Sequence, residues 1–417
     1  MKVLFVCADN YPKTGACTSL LNKIFLDGGL INNSEIHIAT YKYCVEDKDV
    51  DYFKGITIHR LFSTRFFPQK ELRKASIATR LLIQGTLQKI QRKICTTIYK
   101  KKELDFGRIK EYESFLLQLC EKYKYDIVVG VAGCYEVTLS AQNVAHAKSI
   151  KFILYQVDPF TDNTMYNSHY KKQRFAIEKN LYLSSDKVFT TELIQAKMLE
   201  RLGKSKLCNV EIMEFPGVSI HPPKLDSAVE KLNIINCVFT GRVYEGVRNP
   251  TYTIELFRKF ENKANLLLYG VEEKELKNMF SINSLPDNVK CYGLVSVDEA
   301  ENAIQNADVL VNIGNIMLNQ VPSKLFSYIS TGKPILNICA NYSCPSKKYL
   351  EQYPYALSVE EDSICNDLTV NNVLLFLMEN AGKMCDLKKI NELYEKCTPI
   401  YVANQMRAAF MQVCKEK

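Results

Sequence analysis

The sequence predicts an α/β fold made of two doubly wound, Rossmann-like domains, and three observations carry that reading. The chain has 417 residues, and at roughly 100–200 residues per domain this asks for two or three domains. Short β-branched or aliphatic runs alternate with amphipathic stretches for most of the length, the pattern of parallel strands covered by helices. The pattern halts at Phe215-Pro216-Gly217-Val218 and His221-Pro222-Pro223 and then begins again, as a proline-rich crossing between domains would make it do. Apolar residues at 47% and charged residues at 24% exclude disorder, collagen and coiled coil as descriptions of the whole chain.

In order, the first half predicts strands at Lys2–Cys7, Glu35–Thr40, Ile56–Arg60, Asp126–Val131, Lys151–Val157 and Lys187–Thr190. Helices are expected at Cys17–Leu26, Phe106–Lys122, Tyr135–His146, Met165–Leu183 and Glu192–Arg201. The second half predicts strands at Ile234–Phe239, Asn265–Tyr269, Val289–Tyr292, Asp308–Asn312, Pro334–Ile338 and Tyr355–Ser358. Its helices fall at Asn249–Phe260, Val297–Gln305 and Val321–Ser330, and Pro399–Cys414 reads as a last helix. The expected domains are residues 1–215 and 231–395, joined by a linker at 216–230 and followed by a terminal helix at 396–417. Two doubly wound domains facing a central cleft bind ligands beyond the carboxyl ends of their strands. The residues just after each strand are therefore the ones to read.

After the first strand, Thr14 and Gly15 precede a helix opening at Cys17-Thr18-Ser19. Small residues allow a ligand near the backbone, and free N–H groups at a helix start can hold an anion; a plain loop turn reads equally well. After the fifth strand comes Val157-Asp158-Pro159-Phe160-Thr161-Asp162-Asn163. Asp158, at the strand end, could hold a hydroxyl or take its proton. The alternative is capping, since Thr161, Asp162 and Asn163 all make good N-caps. Asp162 and His169 are further candidates, the latter more simply a solvated helix residue.

In the second half Phe239-Thr240-Gly241-Arg242 ends a strand and Arg248-Asn249-Pro250 opens a helix. Two arginines six apart across such a loop can clamp a diphosphate, which the guanidinium fork suits. Asn249 can cap the helix with Pro250 at its first position. Further on, Asn312-Ile313-Gly314-Asn315 leads through Asn319-Gln320-Val321-Pro322-Ser323-Lys324 into a helix that stops at Thr331-Gly332. Backbone N–H groups after Pro322, helped by the Lys324 ammonium, can bind a phosphate; a solvated helical lysine is the plainer reading of Lys324.

The run Val321-Pro322-Ser323-Lys324-Leu325-Phe326-Ser327-Tyr328-Ile329-Ser330-Thr331-Gly332-Lys333-Pro334-Ile335, preceded by Ala307-Asp308-Val309-Leu310-Val311-Asn312, resembles the donor-binding core of GT-B fold glycosyltransferases. It is most similar to the bacterial polysaccharide-assembly enzymes of glycosyltransferase family 4. The likeness spans the whole chain in organisation and is motif-specific from about residue 234 to 340. It implies a nucleoside-diphosphate-sugar donor and transfer of its sugar to a hydroxyl of a glycan acceptor, polyprenyl-diphosphate-linked in such assembly enzymes. It also implies a terminal helix that crosses back to the first domain. Arg242 and Arg248 stand where the family has basic diphosphate contacts, the second usually a lysine. Pro322, Ser323 and Lys324 match the turn and helix start that hold the donor phosphate, and Tyr269-Gly270 a strand end that shapes the nucleotide pocket. Asp158 falls where many relatives place an active-site histidine or acid. Retaining members carry two glutamates spaced E-x7-E, near the transferred sugar and on the ribose; here these positions are Asn319 and Ser327. Both can hydrogen-bond a hydroxyl and neither carries charge, so the motif leaves the stereochemistry open. It also leaves open a sugar-nucleotide epimerase or hydrolase, or a silent nucleotide-sugar binding protein.

Charge and cysteine complete the reading. Lysine and arginine number 54 against 46 acids, a net +8. Between Arg60 and Glu103 there are twelve basic residues and two acids, so that segment holds the whole excess. Within 64–103, Ile83, Leu87, Ile90, Ile94 and Ile98 recur at helical spacing beside Arg92, Lys93, Lys100, Lys101 and Lys102. A packed helix with a solvated face is one reading. An interfacial helix on an anionic membrane surface is the sharper one, and it suits a lipid-linked acceptor. Nucleic acid is not expected as a partner, for want of a recognised motif. The 15 cysteines form no CxxC pair and only five histidines accompany them, so no zinc site is expected and a reducing cytoplasm is. The opening MKVLFVCADNYP is too short in apolar run for a secretion signal. No cofactor or metal is expected, since arginine, lysine and backbone N–H groups can neutralise a leaving diphosphate.

Overall fold

The computed structural model describes residues 1–13, 15–44, 46–63, 104–166, 168–219, 234–282, 284–361 and 365–415. Thr14, the basic segment with Arg92, Lys93, Lys100, Lys101 and Lys102, and most of the expected linker lie outside the described residues. The chain divides into two compact units. One comprises Met1–Pro216 with Pro399–Lys417, and the other Gly217–Thr398.

The first unit holds an eight-stranded sheet. Its strands are β1 (Lys2–Val6), β2 (Glu35–Tyr41), β3 (Val50–Phe53), β4 (Ile56–Leu61), β5 (Ile127–Val131), β6 (Lys151–Gln156), β7 (Lys187–Thr190) and β8 (Val210–Ile212). They lie in the order β3-β4-β2-β1-β5-β6-β7-β8, and all pairs are parallel except β3 with β4. A parallel sheet must be covered on both faces, and β1 shows how. Leu4 and Val6 enter one core with Ala39, Tyr112 and Phe152, while Val3 and Phe5 enter another with Ile38 and Phe25. The helix Pro399–Lys415 closes that second face with Val402, Ala403, Met406, Ala409, Phe410 and Val413, spaced as one helical stripe. Fully burying each larger side chain of that stripe contributes about 1.5–3 kcal/mol before ordering costs.

The second unit holds six parallel strands: β9 (Ile235–Thr240), β10 (Ala264–Tyr269), β11 (Val289–Gly293), β12 (Val309–Ile313), β13 (Ile335–Cys339) and β14 (Ala356–Glu360). Their order is β11-β10-β9-β12-β13-β14. Strand order reverses between β9 and β12 here, and between β1 and β5 in the first sheet. Loops leaving the carboxyl ends at such reversals diverge and open a crevice for ligands.

Two strands have no counterpart in the sequence reading. β3, Val50-Asp51-Tyr52-Phe53, is a short exposed edge strand without an apolar alternation. It turns into β4 through Lys54-Gly55, both left-handed, the geometry of a two-residue hairpin turn. β8, three residues long, closes the opposite edge. Three helix starts also differ. The helix expected from Met165 begins at Lys171, after a short 3-10 turn at Ser168–Tyr170. The one expected from Val321 is Lys324–Ile329. The one expected from Asn249 is Thr251–Arg258, with Pro250 capping it in place of sitting at its first position. The helices Glu273–Phe280, Pro345–Leu350, Asp367–Asn380 and Leu387–Leu393 are additional.

Candidate functional site

In the second unit, the loops leaving β9 and β12 at the strand-order reversal are joined to one another. Ile316 N donates to Val247 O at 2.8 Å, and Arg248 Nη2 donates to Asn315 Oδ1 at 2.9 Å. The Gly241–Pro250 loop is folded back on itself by reciprocal backbone bonds between Tyr244 and Arg248. The short helix Lys324–Ile329 is fixed to the end of β9 by Tyr328, whose buried hydroxyl accepts from Thr240 N at 2.7 Å. Lys324 lies four residues before Tyr328 and so shares its helix face.

The two arginines that spacing treats alike are held differently. Arg242 donates from Nη2 to Glu275 Oε1 at 2.7 Å, in an ion pair with its side chain 39% exposed. Glu275 also belongs to the capping box of Glu273–Phe280, so that charge is already answered within the fold. Arg248 meets only neutral groups among the described residues. Nη1 donates to Arg242 O at 3.2 Å, Nη2 to Asn315, and the guanidinium lies 6.0 Å from the Phe239 ring centre. Its Nε is buried without a hydrogen-bond partner, and burial lowers its pKa, with Tyr328 and Tyr244 opposing. An unanswered cation in such a place has an N–H group to spare for an anion.

Lys324 has no hydrogen bond or ion pair with another described residue. Its side chain belongs to an exposed residue, yet enough protein crowds its amine that desolvation lowers the pKa, with Glu301 opposing. Pro322 is buried and Ser323 exposed in the turn before this helix. The helix has only six residues and starts at Lys324, so the helix start expected at Pro322 lies two residues further on. Ser327 lies on that helix, half-buried, and Asn319 is buried in the loop before it.

Tyr269-Gly270 closes β10 beside this loop system. The Gly241 N–H donates to Tyr269 O at 2.9 Å and the Gly270 N–H to Gly293 O at 2.7 Å, which ties the ends of β9, β10 and β11 together. Gly270 has φ +90°, and a Cβ there would stand 2.5 Å from Gly241 O; no other residue fits. Tyr269 stacks on Tyr292 with ring centres 4.4 Å apart and planes within 2°.

In the first unit the corresponding loops carry acids and thiols. Asp9 follows β1 and its Oδ2 accepts from Thr18 N at 3.1 Å, satisfying the start of helix Ala16–Asn22. A Cβ on Gly15 would lie 2.2 Å from that oxygen. The space expected to receive an outside anion at Gly15 therefore holds the chain's own carboxylate. Burial first, then Asp9, Cys7 and Asp158, push the Cys17 thiol up. Asp158 is half-buried and its carbonyl accepts from Gln156 Nε2 at 3.0 Å.

The rest of that loop is fastened by a residue outside the sequence candidates. The Glu178 carboxylate, 2% exposed, accepts from Gln156 Nε2 at 2.7 Å, from Phe160 N at 3.2 Å and from both N and Oγ1 of Thr161. Thr161 thus serves Glu178 and caps no helix. Asp162 is committed elsewhere, at 2.6 Å from Arg201 Nη2 and 3.0 Å from Lys171 Nζ; these pairings, after the opposing effect of burial, hold its carboxyl below the usual range. His169 is exposed in the 3-10 turn, its ring 5.0 Å from that of Tyr170. Asp9, Glu178, Glu275, Asn315 and Tyr328 are the site-forming residues that the sequence reading assigned no role. Only Asp9 and Asn315 carry a signal in the chain, each as a polar residue within three positions of a strand end.

No family model and no curated protein sequence matches the chain. Solved structures do. A glycosyltransferase from Rickettsia africae aligns over 100% of this chain and 99% of its own, at 11% identity and a TM-score of 0.64. HepE from Anabaena, in complex with UDP and glucose, aligns over 99% of both chains at 11% identity and a TM-score of 0.60. A putative UDP-N-acetylglucosamine 2-epimerase from Listeria monocytogenes aligns over 100% of this chain and 97% of its own at 11% identity and a TM-score of 0.55. At such identities the likeness is one of fold, and the two Rossmann-like domains are those of the GT-B architecture.

Proposed function

We propose that this chain is a glycosyltransferase that moves a sugar from a nucleoside-diphosphate-sugar to a hydroxyl of a glycan acceptor. The observation that carries the reading is Arg248: a crowded guanidinium without a carboxylate, set between the β9 and β12 loops where the strand order reverses. A diphosphate supplies the missing charge. Lys324 adds a second cation, and Arg242 a third once its exposed pair with Glu275 exchanges. These groups stabilise the diphosphate as it leaves with the bonding electrons, the role of a fixed positive field in such a transfer, so the reaction is expected to tolerate EDTA. The pocket around Tyr269, Gly270 and Ser327 would take the nucleoside. Asn319 would hydrogen-bond the transferred sugar, and Asp158 would orient the acceptor hydroxyl or accept its proton. The UDP-sugar ligand of HepE and the glycosyltransferase neighbours of like fold support the substrate class.

The acceptor reading rests on charge. No described helix is long and apolar enough to cross a membrane. The twelve basic residues between Arg60 and Glu103 would instead hold the protein at an anionic cytoplasmic surface, where a polyprenyl-diphosphate-linked glycan is presented. Replacing Arg92, Lys93 and Lys100–Lys102 by glutamine should release the protein from anionic liposomes; unchanged cosedimentation sinks that part.

A second reading, a sugar-nucleotide epimerase, is favoured by the Listeria neighbour and by Asn319 and Ser327 in place of the two glutamates. One experiment separates the two. The protein is incubated with labelled UDP-, GDP- and CDP-sugars, with and without a lipid-linked glycan extract. Label on the acceptor supports transfer, altered sugar without acceptor supports epimerisation, and binding without turnover rejects both.

A further inference from the structure

Among the thiols, Cys339 and Cys344 stand apart by their surroundings. Cys339 ends β13 and Cys344 is the N-cap of helix Pro345–Leu350; both are buried, and both pack at Gly314, where a Cβ would stand 3.1 Å from Cys344 Sγ and 3.7 Å from Cys339 Cα. A buried polar network fixes the first sulfur. Asn337 Nδ2 donates to Cys339 Sγ at 3.2 Å and to Ser358 Oγ at 2.9 Å, and Asn312 Nδ2 holds Asn337 Oδ1 at 2.7 Å. Cys344 starts the following helix, its carbonyl accepting from Lys347 N at 3.1 Å. Between them in the chain runs Ala340-Asn341-Tyr342-Ser343, with Tyr342 80% exposed.

The chemistry of the two sulfurs is opposed. Cys7, Cys120, Cys134 and Cys237 are all pushed up by burial. Cys344 is pulled down, by the Cys339 thiol first and then, against burial, by the N–H groups of Ser346 and Lys347. Cys339 is pushed up, by the Cys344 sulfur and by burial. A thiolate beside a thiol is the arrangement of an attacking and a resolving cysteine.

We propose that Cys339 and Cys344 form an oxidation site, a dithiol that closes to a disulfide on reaction with a peroxide. The Cys344 thiolate attacks one peroxide oxygen; the O–O bond breaks, hydroxide leaves and Cys344 becomes a sulfenic acid. The Cys339 sulfur then displaces that oxygen, so the S–S bond forms as S–O breaks, and the Cys339 proton leaves with the hydroxyl as water. The first hydroxide takes up the proton that Cys344 had shed. Two thiols are oxidised by two electrons, and one hydrogen peroxide is reduced to two waters.

The site adjoins the donor loop. A Cβ on Gly314 would stand 3.1 Å from Cys344 Sγ, and Gly314 N donates to Ile338 O at 2.8 Å. The next residue, Asn315, holds Arg248. Drawing Cys344 Sγ to Cys339 changes the packing under Gly314, so oxidation should alter nucleotide binding at Arg248; this consequence rests on the function proposed above.

The test uses the full chain. After limited hydrogen peroxide, free thiols are alkylated and the protein is digested with trypsin without reduction. Cys339 and Cys344 are the two cysteines of the peptide Leu325–Lys347, because Lys333 precedes a proline. The expected product is this peptide lighter by two hydrogens and unalkylated, restored by dithiothreitol. Cys339→Ala should leave a dimedone-reactive sulfenic acid on Cys344, and Cys344→Ala should leave Cys339 alkylatable at the same dose. A fully alkylated peptide while other cysteines oxidise, or Cys339 reacting equally in Cys344→Ala, overturns the proposal; unchanged thermal unfolding shows that the variants fold. Calorimetric titration with UDP, GDP and CDP should show at least a threefold change in affinity on oxidation, absent in Cys344→Ala. A mapped disulfide with unaltered nucleotide affinity overturns the link to Arg248. A reduced protein that binds no nucleotide would strike the proposed function, while the mapped disulfide would still uphold the oxidation site.

Discussion

The carboxyl edges of the two sheets are built on one plan and end in opposite chemistry. Each has a strand-order reversal, β1/β5 in one and β9/β12 in the other, and each lays loops of small and polar residues over it. In the first unit the chain fills its own anion position, with Asp9 on the Thr18 N–H and Gly15 cleared to admit it. In the second unit the cation Arg248 is left unanswered. One edge answers its helix-start N–H with its own carboxylate, and at the other Arg248 meets no acid among the described residues. The difference teaches that a Rossmann-like edge is a frame, and that the partner each charged group has within the fold decides whether it binds anything.

The comparison can be tested first through acid. His37, His59, His146 and His169, the described histidines, all lie in the first unit. His59 is pushed down to about 4, by burial first and then by His37 and Lys122; its Nε2 lies 3.0 Å from His37 Nδ1. Glu35, Tyr125, Tyr123 and Lys2 complete that surround. A histidine held below its unfolded pKa favours the folded state while neutral, and the unfolded chain takes the proton first. Stability should therefore be full above about pH 6.5 and fall toward pH 4, by up to about 3 kcal/mol from this group. Urea unfolding followed across that range should show the loss, and His59→Gln should flatten it. An unchanged slope in the variant would assign the acid sensitivity elsewhere.

Next in size is Arg248→Ala. Loss of a charge-assisted pair should weaken nucleoside diphosphate binding by about 2–3 kcal/mol, read by calorimetry. Wild-type affinity would remove Arg248 from the site and erase the contrast between the two edges.

A smaller effect belongs to the first unit. Asp9→Ala removes the acceptor of the Thr18 N–H and should cost about 1 kcal/mol of stability. Gly15→Ala should cost a similar amount, because its Cβ displaces the same carboxylate. The double variant should then lose no more than either single one; additive losses in denaturant unfolding would contradict a shared cause.

The smallest effect is expected at Arg242. Its exposed pair with Glu275 must exchange before it serves a ligand, so Arg242→Ala should weaken nucleotide binding by about 0.5–1 kcal/mol. Glu275→Gln should strengthen binding if the pair competes. An Arg242 loss equal to that of Arg248 would show that the two arginines are not distinguished as proposed.

Much of this molecule is written locally. Strands such as β1, β5 and β12 are continuous apolar runs because both faces of a parallel sheet are covered, and such runs are visible in one dimension. Asp158, Arg242, Arg248 and Lys324 were legible as polar residues after strands, since the chain direction places them at carboxyl ends. The edge strands β3 and β8 were not, because they are short and only partly buried and take their form from a neighbour. Helix Lys324–Ile329 was legible in place but not in extent, its start being set by the turn at Pro322.

What the sequence determined by itself is the alternation of strand and helix and with it the two Rossmann-like sheets, both consequences of short-range periodicity. Which charge is spent and which remains was decided only by tertiary structure. Glu275 reaches Arg242 across 33 residues, and Asn315 reaches Arg248 across 67. Spacing along the chain assigns the arginines equal roles; a carboxylate brought from a distant helix makes them unequal, because an ion pair depends on distance in space.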